Sequence, residues 1–176
     1  MSTHQFLQKR RRTRKAVLSL HIISSVSWFG VDLALLALLA MTLLTDDGAV
    51  AAAGVEAVTA IIPAVVPALA ATMLATGVVL GVGTAWGLIT YKWVTTKLAI
   101  GTVLTVLVGA LLLPTALSVD IPDPRLGADA VRAGVSVQDL LAPPLVSGLA
   151  LILAVVLSIY RPGGRWRAAP ARSPRR

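Results

Sequence analysis

The stretch Ala16–Leu44, AVLSLHIISSVSWFGVDLALLALLAMTLL, decides the fold. After Lys15 it carries only two ionisable side chains, His21 and Asp32, in an otherwise apolar run. At 1.5 Å per residue, about 20 apolar residues cross roughly 30 Å of hydrocarbon as a helix. The run is too long for the apolar region of a cleaved signal peptide, which is about 7–15 residues. Working outward, three further apolar stretches follow, and they are continuous runs rather than alternations. Continuous runs predict helices, not the strands of a membrane barrel.

The expectation is an all-α, four-transmembrane-helix bundle with spans of about 16–44, 58–83, 93–117 and 140–160. The second apolar segment, 51–83, exceeds what the hydrocarbon needs, so its first turns, with Glu56, should protrude. Pro63 and Pro67 fall within it and can kink a helix; helix packing is the favoured reason for them. Asp139, Pro143 and Pro144 mark the start of the fourth span, with the prolines expected in its first turn. That span has no charge beyond its start and is expected to form a lipid-facing wall, its Ser147–Gly148 pair allowing close packing.

Composition agrees. The chain is 56% hydrophobic and 14% charged, with mean hydropathy +0.82. A soluble domain carries about 25% charge, so this chain has too little polar surface for water and none to spare for a separate soluble domain. It has no cysteine, which excludes disulfides, thiolate metal sites and cysteine nucleophiles. The formal charge of +8 is not spread as a nucleic-acid surface would be, and no nucleic-acid partner is expected.

The charges sort by loop. Lys9, Arg10, Arg11, Arg12, Arg14 and Lys15 form a basic segment over 1–15. Arg161, Arg165, Arg167, Arg172, Arg175 and Arg176 populate a Pro-, Gly- and Ala-rich tail, 161–176, that is expected to be disordered. The first hairpin carries Asp46 and Asp47, and the loop before the fourth span is net acidic. Because cytoplasmic loops collect Lys and Arg, both termini are expected to be cytoplasmic in a multi-pass protein of the bacterial inner membrane. Trp86, Tyr91 and Trp93 fit an interfacial aromatic belt at that face.

Ionisable groups at membrane depth usually face the bundle interior. His21, Ser25, Trp28 and Asp32 recur at helical spacing on one stripe of the first span, bordered by Ser24. Lys97 sits about one turn inside the third span, level with His21. Asp32 lies about 16 Å further along, too deep for a direct contact with Lys97. These five residues are the candidate polar pocket. Gly77 and Gly81 are expected to pack the second span against the third. No phosphate-binding loop, paired-histidine motif, hydrolase elbow or set of metal ligands is present, and catalytic residues are not identifiable.

The segment Leu20–Gly30, LHIISSVSWFG, and the pattern Trp93-Val94-Thr95-Thr96-Lys97-Leu98 resemble small four-helix membrane proteins. These are the haem-dependent protoporphyrinogen oxidases of the HemJ type, the membrane domains of CopD-type copper-resistance proteins, and uncharacterised bacterial integral membrane proteins grouped with them. The resemblance covers the core of spans one to three. It implies that His21 and Lys97 occupy positions tied to haem binding, His21 as axial ligand and Lys97 holding a propionate. Where the oxidase helix continues with an Arg-Leu pair, this chain reads Val31-Asp32-Leu33, and no further histidine follows. The reading is therefore a non-enzymatic bundle that binds a haem-like cofactor or quinone in a pocket of His21, Ser25, Trp28, Asp32 and Lys97, or assists a membrane-protein partner or a second copy of itself. A haem-dependent oxidoreductase and a small transporter or proton path through Asp32 are the alternatives.

Overall fold

The computed structural model describes residues 11–83 and 88–164. Trp86, the first ten residues and the tail beyond Gly164 lie outside them, and with them part of the aromatic belt and most of the expected disordered tail. Among the described residues every regular element is a helix. They are α1 (Arg11–Leu44), α2 (Gly48–Gly83), α3 (Lys92–Leu117), α4 (Ala128–Gly134) and α5 (Val137–Tyr160). Four of them, α1, α2, α3 and α5, are long and apolar enough to cross a membrane.

The four long helices form a ring in chain order: α1 packs on α2, α2 on α3, α3 on α5 and α5 back on α1. The helices alternate in direction. One end of the molecule, the terminal end, therefore holds Arg11, Lys92 and Arg161. The other, the hairpin end, holds the α1–α2 turn and α4. Outward positions are apolar, as at Ile22, Ile23 and Val26 on α1, Val103 and Val106 on α3, and Leu149 and Val155 on α5. In water so continuous an apolar surface would drive association; its fit is to lipid, and it is compatible with a multi-pass membrane bundle.

The α1–α2 hairpin is the tightest seam. Asp47 caps α2, its Oδ1 accepting from the N–H groups of Ala49 (2.8 Å) and Val50 (3.3 Å). Beside the turn, Gly54 faces Thr42, so closely that a Cβ there would overlap Thr42 Oγ1. Small residues at Ala51, Ala52 and Gly54 let the two backbones approach. Glu56 is exposed.

The segment before α5, expected to be a loop, is partly helical. It holds a 3-10 turn, Pro124–Leu126, and α4, which together close the hairpin end. Arg132 fixes this cap by donating to the carbonyls of Thr45 (2.7 Å) and Thr42 (3.2 Å) at the end of α1, and it pairs with Asp129. Those carbonyls are among the last of α1 and have no helical partner of their own. Val131 and Ala128 bury beneath the cap.

Four expectations need correction. First, the packed face of α5 is wider than the expected Ser147–Gly148 pair: Leu140, Pro144 and Leu151 are buried beside it, while Leu149, Val155 and Ile159 form an exposed apolar outer face. Second, Pro143 and Pro144 lie inside α5, which starts at Val137, rather than in its first turn. Third, Gly77 faces His21 on α1 and Gly81 faces Leu88, so neither packs α2 on α3; Gly101 does, against Met73 and Leu74. Fourth, Arg161–Gly164 do not begin a loose tail. They bend back so that Lys92 N–H donates to the Gly164 carbonyl (3.3 Å). Pro63 and Pro67 sit within an unbroken α2.

Candidate functional site

The residues predicted as one pocket are separated into three polar contacts. The reason is the ring order: α1 and α3 are not neighbours in the ring, so their polar side chains find hydrogen-bond partners on α2 and α5.

The first contact joins α1 to α2. His21 Nδ1 lies 3.0 Å from the Met73 carbonyl and 3.0 Å from Thr76 Oγ1. Thr76 gives its own proton to the Thr72 carbonyl (2.6 Å), so the network makes Nδ1–H the donor and leaves Nε2 with the lone pair. The Cε1 edge of the ring abuts Gly77. Ser24 and Ser25 both donate to the His21 carbonyl, at 3.1 and 2.7 Å. Ser24 is the buried one and Ser25 only half-buried, the reverse of their predicted emphasis.

The second joins α3 to α5. Lys97 Nζ donates to Ser158 Oγ at 2.6 Å and lies 5.3 Å from the centre of the Trp93 ring. Lys97 is hydrogen-bonded to neither His21 nor Asp32, although it lies near enough to His21 for their charges to interact, and its partner Ser158 was not among the expected residues. The available signal was weak: Ser158 is one of two serines after the α5 prolines in an apolar helix.

The third joins α1 to α5 and is the deepest. Asp32 is 2% exposed and Oδ2 accepts from Ser147 Oγ–H at 2.7 Å. The indole N–H of Trp28, one turn earlier, is its second polar neighbour. No basic side chain pairs with Asp32 among the described residues. Ser147 Oγ also lies 3.0 Å from the Pro143 carbonyl. The geometry thus serves both states of the acid. With Asp32 ionised, Ser147 donates to it. With Asp32 protonated, the carboxyl donates to Ser147, whose own proton turns to Pro143. Gly148 makes room for this seam, facing both Phe29 and Asp32.

The third contact borders a cavity. A groove of about 390 Å³ runs between α3 and α5, floored by Trp28 and Ser147. Its walls are Leu104, Val108 and Leu111 of α3 and Pro143 and Val146 of α5, with Asp139 at the hairpin-end mouth. Leu111 and Val146 are more than half exposed, so the groove opens sideways to whatever surrounds the bundle. Its α3 wall is a π-turn over Val108–Leu112, with Leu113 N–H donating to the Val108 carbonyl. Pro114 explains it: proline has no N–H for the Ala110 carbonyl and crowds it, so the helix gains one residue in that turn. Pro114 was the legible signal that sequence reading passed over. A second cavity of about 340 Å³ lies at the hairpin end, lined by Arg132, Ser136, Gln138 and Asp139. His21 and Lys97 line neither.

Among the described residues no three His, Cys, Asp or Glu side chains cluster to hold a metal ion. No protein-family model, curated protein or solved structure matches the chain.

Proposed function

We propose that the chain is a multi-pass inner-membrane protein that binds a quinone-like molecule in the α3–α5 groove: a planar ring bearing hydrogen-bond acceptors and carrying an apolar tail. The observation that carries this reading is a groove that opens sideways, floored by Trp28 and Ser147, with the buried Asp32 hydrogen-bonded to Ser147. Ligand pockets of about 300–1,000 Å³ are mostly apolar with a few converging polar groups, and this groove has that composition. The Trp28 ring offers a flat surface for stacking, and when Asp32 is protonated and donates to Ser147, the Ser147 proton is free to turn from the Pro143 carbonyl to a ligand acceptor. The tail would leave through the open side between Leu111 and Val146 into lipid. Haem finds less support: His21 is suitably oriented through Nδ1, yet neither cavity lies beside it.

The test is binding of a short-tailed quinone to the full chain in nanodiscs. Ser147→Ala removes the donor and is expected to weaken binding about tenfold, the worth of one hydrogen bond of about 1–1.5 kcal/mol. Asp32→Asn keeps an acceptor for Ser147 and is expected to weaken binding less. Unchanged affinity in Ser147→Ala would contradict the reading.

The charge asymmetry supports termini in the cytoplasm. Because the chain has no cysteine, single cysteines report cleanly. Asp46→Cys is expected to react with an impermeant maleimide in intact cells, and Lys92→Cys only after lysis. The opposite pattern would invert the topology.

A further inference from the structure

The polar side chains of the α3–α5 groove are arranged in one direction. Its lining runs from Leu104 to Thr115 on α3 and from Asp139 to Ser147 on α5. Since α3 and α5 run in opposite directions, Leu104 and Ser147 mark its limit toward the terminal end, and Thr115 and Asp139 its limit toward the hairpin end. Beyond Ser147, α5 has no polar side chain from Gly148 to Leu157, about 15 Å of helix. Toward the hairpin end polar groups continue. Asp139 stands about two turns before Ser147, roughly 12 Å away along the helix. It is exposed, and it lines both the groove and the hairpin-end cavity, where Ser136 and Gln138 join it. Pro143, in the turn between, has no N–H to return to the Asp139 carbonyl, which leaves that carbonyl to water. Asp32 thus touches, through Ser147, the inner end of a polar track that leads to one face of the protein.

We propose that Asp32 is a proton-binding site with one-sided access, exchanging its proton with water at the hairpin end by way of Ser147, the groove and Asp139. Ser147 is the relay because it alone joins the two: its Oγ lies 2.7 Å from Asp32 Oδ2 and also lines the groove. On release, the Asp32 carboxyl gives its proton to Ser147 Oγ as the Ser147 hydroxyl gives its own to a groove water. One proton leaves, one carboxylate remains, and no other bond changes. The Pro143 carbonyl, 3.0 Å from Ser147 Oγ, holds the hydroxyl proton between transfers. Among the described residues Asp139 is the one charged side chain lining the groove. His21 is turned to Met73 and Thr76 of α2, Lys97 is held by Ser158, Arg132 pairs with Asp129 in the cap, and Glu56 of α2 is exposed. The inference rests on these side chains and not on the identity of the groove's ligand.

The test reads the proton and the water separately, on the full chain. In nanodiscs, the infrared C=O band of a protonated carboxyl that disappears in Asp32→Asn is followed on rapid mixing with heavy water. The band is expected to appear on acidification and to shift as deuterium enters, and Ser147→Ala is expected to slow the shift about tenfold. No such band at any pH, or a band that does not shift, would overturn the exchange; an unslowed Ser147→Ala would overturn the route. In intact cells and everted vesicles, Ser147→Cys and Thr115→Cys report water in the groove, because the thiolate is the reactive form and the chain has no cysteine of its own. Both are expected to react with a membrane-impermeant cationic methanethiosulfonate from the same side as Asp46→Cys. Reaction from the side of Lys92→Cys, or reaction of neither, would overturn the one-sided access.

Discussion

Trp28→Ala is expected to lower the unfolding free energy by about 3 kcal/mol, measured by denaturing-detergent titration in mixed micelles. Trp28 is 1% exposed at the junction of α1, α3 and α5, and it floors the groove. Large-to-small substitutions of buried tryptophan cost about 3–5 kcal/mol in water-soluble cores. Two effects act in opposite directions here. Lipid is as apolar as the core, so the transfer part of that cost falls away and the loss is mainly of packing. Against this, the substitution opens space beside the buried Asp32–Ser147 pair, and a buried acid whose hydrogen bonding is disturbed costs about 1–3 kcal/mol. The low end of the range follows. Trp28→Phe keeps most of the packing and is expected to cost less, about 1 kcal/mol. A loss below 1 kcal/mol in Trp28→Ala would show that the three-helix junction is not built on this side chain.

Gly54→Leu is expected to prevent the α1–α2 hairpin from closing, and Gly54→Ala to cost about 1–3 kcal/mol. A Cβ at Gly54 would overlap Thr42 Oγ1 and come within 3.1 Å of the Leu38 carbonyl. Thr42 cannot swing aside cheaply. It is fully buried, and its hydroxyl serves the carbonyls of Leu38 (3.1 Å) and Ala51 (3.3 Å). The Leu38 carbonyl is backbone and cannot yield without moving α1. Association in membranes depends on close van der Waals contact and a few interhelical hydrogen bonds of about 0.6 kcal/mol each on average. A displaced seam therefore cannot be recovered by burial elsewhere. The same titration, with far-ultraviolet circular dichroism, measures it. A Gly54→Ala variant of unchanged stability would refute the tight-seam account.

These expectations rest on features of unequal legibility. The four long helices were readable because about 20 consecutive apolar residues admit few other structures. The stripe of α1 was readable too: Trp28 and Asp32 point inward as their spacing requires. What could not be read was the order of helices around the ring. Hydropathy fixes which residues enter the membrane but not which helix stands beside which. Lys97 was therefore grouped with His21 on matching depth, whereas its partner is Ser158. The same limit hid Ser147. A serine on an uncharged helix reads as packing until Asp32 is found 2.7 Å away on another helix. The groove depends on the π-turn before Pro114, a backbone effect that apolar periodicity does not register.

The most direct measurement of the central claim is photolabelling of the full chain in nanodiscs with an azido-quinone carrying a short tail, followed by peptide mapping. The label is expected on the groove walls, residues 104–115 of α3 and 142–147 of α5. Val146→Trp, which fills the groove from its open side at a position 54% exposed, is expected to abolish it. Label spread over outward faces such as Ile22 and Val26 of α1, or retained in Val146→Trp, would contradict the quinone site.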